Sequence, residues 1–445
     1  MKSSSPDLSG NDHLGYTESE YKIYKKNSNL VLIMFSLLYC MLYCGRLNLS
    51  PALDPMETEL GWSKMELGIL SSVLFWTYGF GHLINGRLGE IFGIKKFIII
   101  GAILSGVANI FIGFQSVFLV IAVLWGLNGY FQSMLWSPGI ALISAWWPGN
   151  KRGFATGFAN AFSGFGQAVA WAAVYLSFSL FPQFGWKSAF FFPVIPIFVM
   201  VIIFGLVVKN KPTDAGISEY KEDAARAEHE DELKKVVEEK GKLYPYIHLF
   251  KQWRFDCWCL LIACSNVARY GLLTWIPMYF AQNLGVTVDG GLVGTVALPV
   301  GMGLGTLIVP WVTDKVCPNN RLPAVLICSL VAAGTVFIFP RLTSMALIAV
   351  MLFIAGFFIY AINGCVWAYA SDIGGRVFGG TATGILDWAA YMGSAIQALY
   401  FGYVLDSTEN WTFVFLCITV VCILIAVLAI IAGRGQNTKT PKINE

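Results

Sequence analysis

The chain has 445 residues, 56% hydrophobic and only 13% charged, where a soluble domain carries about 25% charged. Such a composition excludes an ordinary soluble domain and implies a polytopic membrane protein, and a net charge of +3 gives no electrostatic footing for nucleic acid. The ten cysteines lie almost entirely within apolar stretches and read as packing residues, since no His or Cys pair stands at zinc-ligand spacing.

A spanning helix takes about 20 apolar residues. Twelve such stretches begin near Leu30, Glu66, Phe97, Val117, Gly153, Ser188, Phe255, Gly291, Pro323, Met345, Gly380 and Trp411. Residues 1–29 are polar and lack the apolar core of a cleaved signal peptide, so a cytoplasmic tail is predicted there. Residues 30–208 form the first six-helix bundle in this reading, 209–253 a polar cytoplasmic loop, 254–433 the second bundle, and 434–445 a cytoplasmic tail. The loop's mixed charges from Ser218 to Lys242 suit a solvated helix or flexible linker.

Lys22, Lys25, Lys26, Arg87, Lys95, Lys96, Lys151, Arg152, Lys315, Arg321, Arg376, Arg434 and Lys439 all fall on one side of these spans, while Asp54, Glu57, Glu59 and Glu66 cluster on the other. The positive-inside rule therefore places both termini in the cytoplasm.

Span one, from Leu30 to about Ala52, contains Arg46, and span seven, from about Phe255 to Phe280, contains Arg269. A lone arginine in an apolar span costs several kcal/mol and usually faces a water-filled cavity, so two at corresponding depths point to an anion carrier. Pairing of each with a carboxylate or a helix C-terminus is the purely structural alternative. Spans five and eleven repeat one another: Ala155-Thr156-Gly157 recurs as Ala382-Thr383-Gly384, followed at equal intervals by Gly166 and Gly393. The offset is 227 residues, against 223 between the two arginines, which implies a duplicated six-helix unit with its binding site at mid-membrane between the halves.

Gly86-Arg87-Leu88-Gly89-Glu90 through Lys95-Lys96, after span two, resembles the signature loop of the major facilitator superfamily, echoed weakly at Asp314-Lys315. The resemblance implies an all-α fold of twelve transmembrane helices in two pseudo-symmetric bundles, a monomer, and a latch formed by Arg87, Glu90 and Asp314. Span four, Leu124-Trp125-Gly126-Leu127-Asn128-Gly129-Tyr130-Phe131-Gln132-Ser133-Met134-Leu135-Trp136-Ser137-Pro138, then Trp146-Trp147 and Arg152-Gly153, resembles the organophosphate:phosphate antiporters, which include glycerol-3-phosphate and hexose-6-phosphate transporters. That likeness runs from about Leu30 to Ala432 and implies that Arg46 and Arg269 bind phosphate. Where glycerol-phosphate-type members have a lysine in span two, this chain has His82; where they have a histidine in span five, it has Phe162; and Asp387 stands where a neutral residue is expected.

Arginine suits phosphate because its planar guanidinium stays charged and donates paired hydrogen bonds. Asp387 could couple protons, meet a cationic group on the substrate, or pair with Arg269 or Arg46. His82 could contact phosphate or hydrogen-bond a neighbouring helix. Tyr43, Tyr78, Tyr270, Trp388 and, more weakly, Asn160 and Gln167 could line the pocket or simply pack. The Gly-rich runs lack the Lys-Ser or Lys-Thr of a nucleotide loop, and no nucleophile and base stand together, so neither a cofactor nor an enzyme is expected.

The expected function is exchange of an organic phosphate for inorganic phosphate across a plasma or bacterial inner membrane. A proton-coupled symporter of an organic anion such as a sugar acid is one alternative; a transporter-like receptor for a sugar phosphate is another.

Overall fold

The structure is a computed structural model that describes residues 16–218, 235–236, 238–241, 244–285, 288–316, 322–373 and 375–433. Regular structure among the described residues is entirely helical. Helix α1 (Glu18–Leu42) opens on a capping box in which Thr17 accepts from the Glu20 N–H and Glu20 accepts from the Thr17 N–H, satisfying two donors no helix can pair internally. It ends early. A single 3₁₀ turn at Tyr43–Gly45 separates it from α2 (Leu49–Leu60), so the first span is interrupted at the arginine instead of running on to Ala52.

Helices α3 (Lys64–Phe92), α4 (Ile94–Gly113), α5 (Phe118–Trp146) and α6 (Gly149–Leu180) follow, α3 being capped by Ser63 and Glu66 in the same manner as α1. The sixth crossing is built from the short α7 (Ser188–Phe191) and α8 (Ile195–Val207). After the short α9 (Tyr244–Phe250) come α10 (Trp253–Leu284), α11 (Val288–Val316), α12 (Leu322–Ile338), α13 (Met345–Ile373), α14 (Gly375–Thr408) and α15 (Trp411–Gly433). Ten segments among the described residues are long and apolar enough to cross a membrane. Helices α6 and α14 complete the twelve; at 32 and 34 residues they are long enough, but Gly, Asn160, Gln167, Asp387 and Gln397 dilute their apolar character. Leu119, Ile202, Leu206 and Val420 stay exposed, as a lipid-facing surface requires.

The duplication seen in the sequence is repeated in the packing. Gly166 of α6 lies on α1, where an added Cβ would stand 2.7 Å from the Cys40 carbonyl oxygen, and Gly393 of α14 lies in the same way on the Ala263 backbone of α10. Cys40 and Ala263 are 223 residues apart, the interval that separates Arg46 from Arg269. Small residues here let backbones approach closely, as they do wherever membrane helices pack without a hydrophobic driving force between them.

The two halves meet along α3 against α14 and α6 against α11. At the end of the bundle away from the termini, Gly68 packs on Gly402 and on the Ala398 carbonyl, Ser72 Oγ donates to the Ala395 carbonyl at 2.9 Å, and Gln282 donates to Asp54 at 2.9 Å and to Glu57 at 2.7 Å. Towards the other end the repeat-related Gly157 and Gly384 have no described atom within 4 Å of where a Cβ would stand. The halves are thus in contact at the end away from the termini. The predicted latch cannot be placed: the side chains of Arg87, Glu90, Asp314 and Arg376 lie outside the described residues, as do Arg321, Arg434, Lys439 and most of the charged central loop.

Candidate functional site

Arg46 sits where the chain stops being helical, and the break leaves backbone carbonyls without intrahelical donors. Three buried amides take them up. Asn109 and Asn128 donate to the Gly45 carbonyl at 3.1 and 2.7 Å, and Gln132 donates to the Leu42 carbonyl at 3.2 Å. The same Gln132 accepts from Arg46 Nε at 2.8 Å, so one side chain of α5 both repairs the break and aims the arginine. The guanidinium lies 4.7 Å from the ring centre of Tyr43 and 4.2 Å from that of Tyr78, and its Nη1 is buried with no hydrogen-bond partner.

Arg269 occupies the middle of the uninterrupted α10. Its guanidinium is stacked 4.6 Å from Tyr270 and 4.0 Å from Tyr360, with Nε and Nη2 both buried and unpartnered. Tyr360 is oriented in turn by a 2.6 Å hydrogen bond between its hydroxyl and Ser163 Oγ of the opposite half. The two arginines are only 3% and 4% exposed, and among the described residues no carboxylate lies within ion-pair distance of either. Pairing with an acid is therefore not what holds them. Aromatic faces return about 0.5–2 kcal/mol per desolvated cation, which offsets only part of the cost of burying a charge. The unmet hydrogen-bonding capacity of both guanidiniums is what an anion would satisfy.

A narrow cavity opens between the halves. Of the residues expected around the site, Tyr43, Tyr78, Asn160, Arg269 and Asp387 line it. Arg46 and His82 stand one layer back behind Tyr78, whose ring is 4.2 Å from the former and 4.5 Å from the latter. Tyr270 and Trp388 do not line the cavity. Tyr270 is wholly buried and packs on Phe75 at 4.6 Å, and Trp388 turns away from the cavity towards Phe80 at 6.4 Å. Gln167 likewise points elsewhere, donating to the Ser163 carbonyl of its own helix, and Phe162 stacks on Phe158 at 5.1 Å.

His82 and Asp387 meet each other across the halves. Asp387 pairs with neither arginine; its Oδ2 lies 3.1 Å from His82 Nδ1, which is also 3.1 Å from Ser137 Oγ. The wall residues missed from the sequence are Tyr39, Trp136, Asn266, Tyr360, Asn363, Ala390 and Tyr391. Asn363 donates to Ser265 at 3.3 Å and to Asn266 at 3.4 Å, a polar cluster beside Arg269 whose only sequence signal was amide side chains inside apolar spans.

Residues 35–398 match the family described as the major facilitator superfamily. The chain belongs to the major facilitator superfamily. It is accordingly a multi-pass membrane protein with the twelve-helix fold, in a family of carriers and not of enzymes. Among curated proteins it is similar to a probable hexose phosphate transport protein of Chlamydia pneumoniae, 26% identical over 427 residues that cover 91% of this chain and 90% of that one. It is similar also to the membrane sensor protein UhpC of Escherichia coli (strain K12), 25% identical over 441 residues, 96% of this chain and 95% of that one. In structure it matches a bacterial homologue of the human lysosomal transporter Spinster, inward-facing and unoccupied, with a TM-score of 0.73 at 16% identity, over 92% of this chain and 98% of that one. The structural likeness speaks for the shared fold alone. The resemblance to organophosphate:phosphate antiporters read from the span-four motif is matched by these relatives over nearly the full chain.

Proposed function

We propose that this superfamily member is a secondary carrier that exchanges an organic phosphate of the sugar phosphate or glycerol phosphate type for inorganic phosphate by alternating access. The observation that carries the proposal is the pair of arginines, each stacked between tyrosines at or just behind the cavity wall, each short of hydrogen-bond acceptors and, among the described residues, without a carboxylate at ion-pair distance. A phosphoryl group offers the acceptors and the charge they lack. Arg269 reaches the cavity directly; Arg46 would join it when Tyr78 shifts aside. Satisfying both guanidiniums at once draws the halves 30–208 and 254–433 together, which is how binding energy drives a rocking carrier. The latch residues Arg87, Glu90 and Asp314 would engage as the cytoplasmic end closes and release as it opens.

The carrier is placed in a bacterial inner or plasma membrane as a monomer with both termini cytoplasmic, and neither a cofactor nor ATP is needed. Similarity to a membrane sensor favours a second reading, a receptor for the same phosphates, which binds without flux. A proton-driven symporter of an organic anion would accumulate substrate without internal phosphate.

Phosphate-loaded proteoliposomes distinguish these. Uptake of labelled phosphate or sugar phosphate that requires internal phosphate and is lost in Arg46→Lys and Arg269→Lys is the expected result. Binding without flux would favour the receptor, and uptake only under an imposed proton gradient would favour the symporter.

A further inference from the structure

Close to Tyr78 the two halves touch through a pair of titratable side chains. His82 on α3 meets Asp387 on α14 at 3.1 Å, and Ser137 on α5 stands at the same distance from His82 Nδ1. The imidazole is enclosed: its side chain is 2% exposed, its ring lies 4.5 Å from Tyr78 and 5.9 Å from Tyr391, and its Nε2 is buried without a partner. The carboxylate is 13% exposed and reaches the cavity. Arg46, from the break after α1, bears electrostatically on both members of the pair, and Arg269 on α10 bears on Asp387. Among the described residues the pair is also faced by Ser137 Oγ and by the rings of Tyr78 and Tyr391.

An imidazole and a carboxyl group at hydrogen-bond distance can hold one proton more or one fewer. With the extra proton the pair is neutral overall, and without it carries one negative charge. Together with the two arginines the site then bears two positive charges or one. A phosphate monoester has its second pKa near 6 and is doubly negative at about pH 8. In a dehydrated site an unmatched charge is costly, so a doubly charged phosphoryl group calls for the extra proton. The proton is taken from water and returned to it on release, and no bond other than N–H or O–H changes.

We propose that His82 and Asp387 form a proton-binding site spanning the contact between the halves, which takes up one proton with each doubly charged phosphoryl group the cavity receives. The proposal rests on the reading of the cavity as a phosphoryl site. Because α3 and α14 belong to opposite halves, this hydrogen bond must break whenever they part at that depth, which ties the proton to the conformational cycle.

The test is titration calorimetry on the purified full chain near pH 8, with glucose 6-phosphate as probe, in two buffers of unequal ionisation enthalpy. Wild type should take up about one proton per ligand, and its affinity should fall about tenfold per pH unit above pH 8, where the probe no longer titrates. Asp387→Asn, which gives the site two positive charges without a proton, should lose the buffer dependence and flatten that pH profile, whereas His82→Gln, which leaves the carboxylate to take the proton alone, should move the pH at which affinity falls. Binding heat independent of buffer in wild type, or proton uptake persisting in Asp387→Asn, overturns the proton site while leaving the phosphoryl site standing. No binding of either glucose 6-phosphate or inorganic phosphate overturns both.

Discussion

Gln132 is where a small change should separate binding from folding. It is fully buried, accepts from Arg46 Nε at 2.8 Å, and donates to the Leu42 carbonyl and Ser105 Oγ at 3.2 and 3.1 Å. Gln132→Glu keeps the shape and the acceptor oxygen, and a carboxylate facing the guanidinium should hold Arg46 at least as firmly, at the cost of the donors to the Leu42 carbonyl and Ser105 Oγ that the melting temperature would register. It also neutralises the charge that phosphate needs. A phosphoryl oxygen on the far side of the guanidinium would stand about 7 Å from that carboxylate, where two unit charges at an effective dielectric of about 20 repel by about 2.4 kcal/mol. At about 1.4 kcal/mol per tenfold, the KM for inorganic phosphate should rise about fifty-fold, and further for a doubly charged ligand. Gln132→Leu should instead act on stability, since a buried Arg46 Nε without its acceptor costs about 1.5–3 kcal/mol. The assay is the initial rate of labelled phosphate exchange in proteoliposomes, with melting temperature in detergent as the folding control. A folded Gln132→Glu protein exchanging phosphate with a KM within about threefold of wild type would refute Arg46 as a phosphate ligand.

Tyr360→Leu removes a ring 4.0 Å from the Arg269 guanidinium, worth about 0.5–2 kcal/mol, and should raise the exchange KM by about 2- to 30-fold. Tyr360→Phe, which keeps the ring and loses only the Ser163 hydrogen bond, should do less in the same assay. Gly166→Val and Gly393→Val each push a side chain into the backbone of a neighbouring helix and should cost about 1–3 kcal/mol apiece, seen as lower melting temperatures of similar size in both repeats. Asp54→Cys with Gln282→Cys, replacing a 2.9 Å contact between the halves, should cross-link under a thiol-reactive reagent and stop exchange until a cleavable link is reduced. Exchange that continues through the cross-link would show that this end does not open.

What the sequence by itself determined are properties carried by short stretches of chain. The length and apolar character of the spans, the burial of Arg46 and Arg269, and the duplication marked by Gly166 and Gly393 all follow from local composition and spacing, because lipid imposes the same demand on each segment separately. The tertiary structure decided what those residues face. The interruption at Tyr43–Gly45 is invisible in an apolar run, since it is sustained by Asn109, Asn128 and Gln132 from helices far along the chain. Tyr270 and Trp388 directly follow Arg269 and Asp387, yet consecutive helical residues point about 100° apart, so one neighbour reaches the cavity and the other packs. The pairing of His82 with Asp387 joins opposite halves of the chain. Their charges alone also allowed Asp387 to pair with either arginine, and only the packing of α3 against α14 selects the histidine.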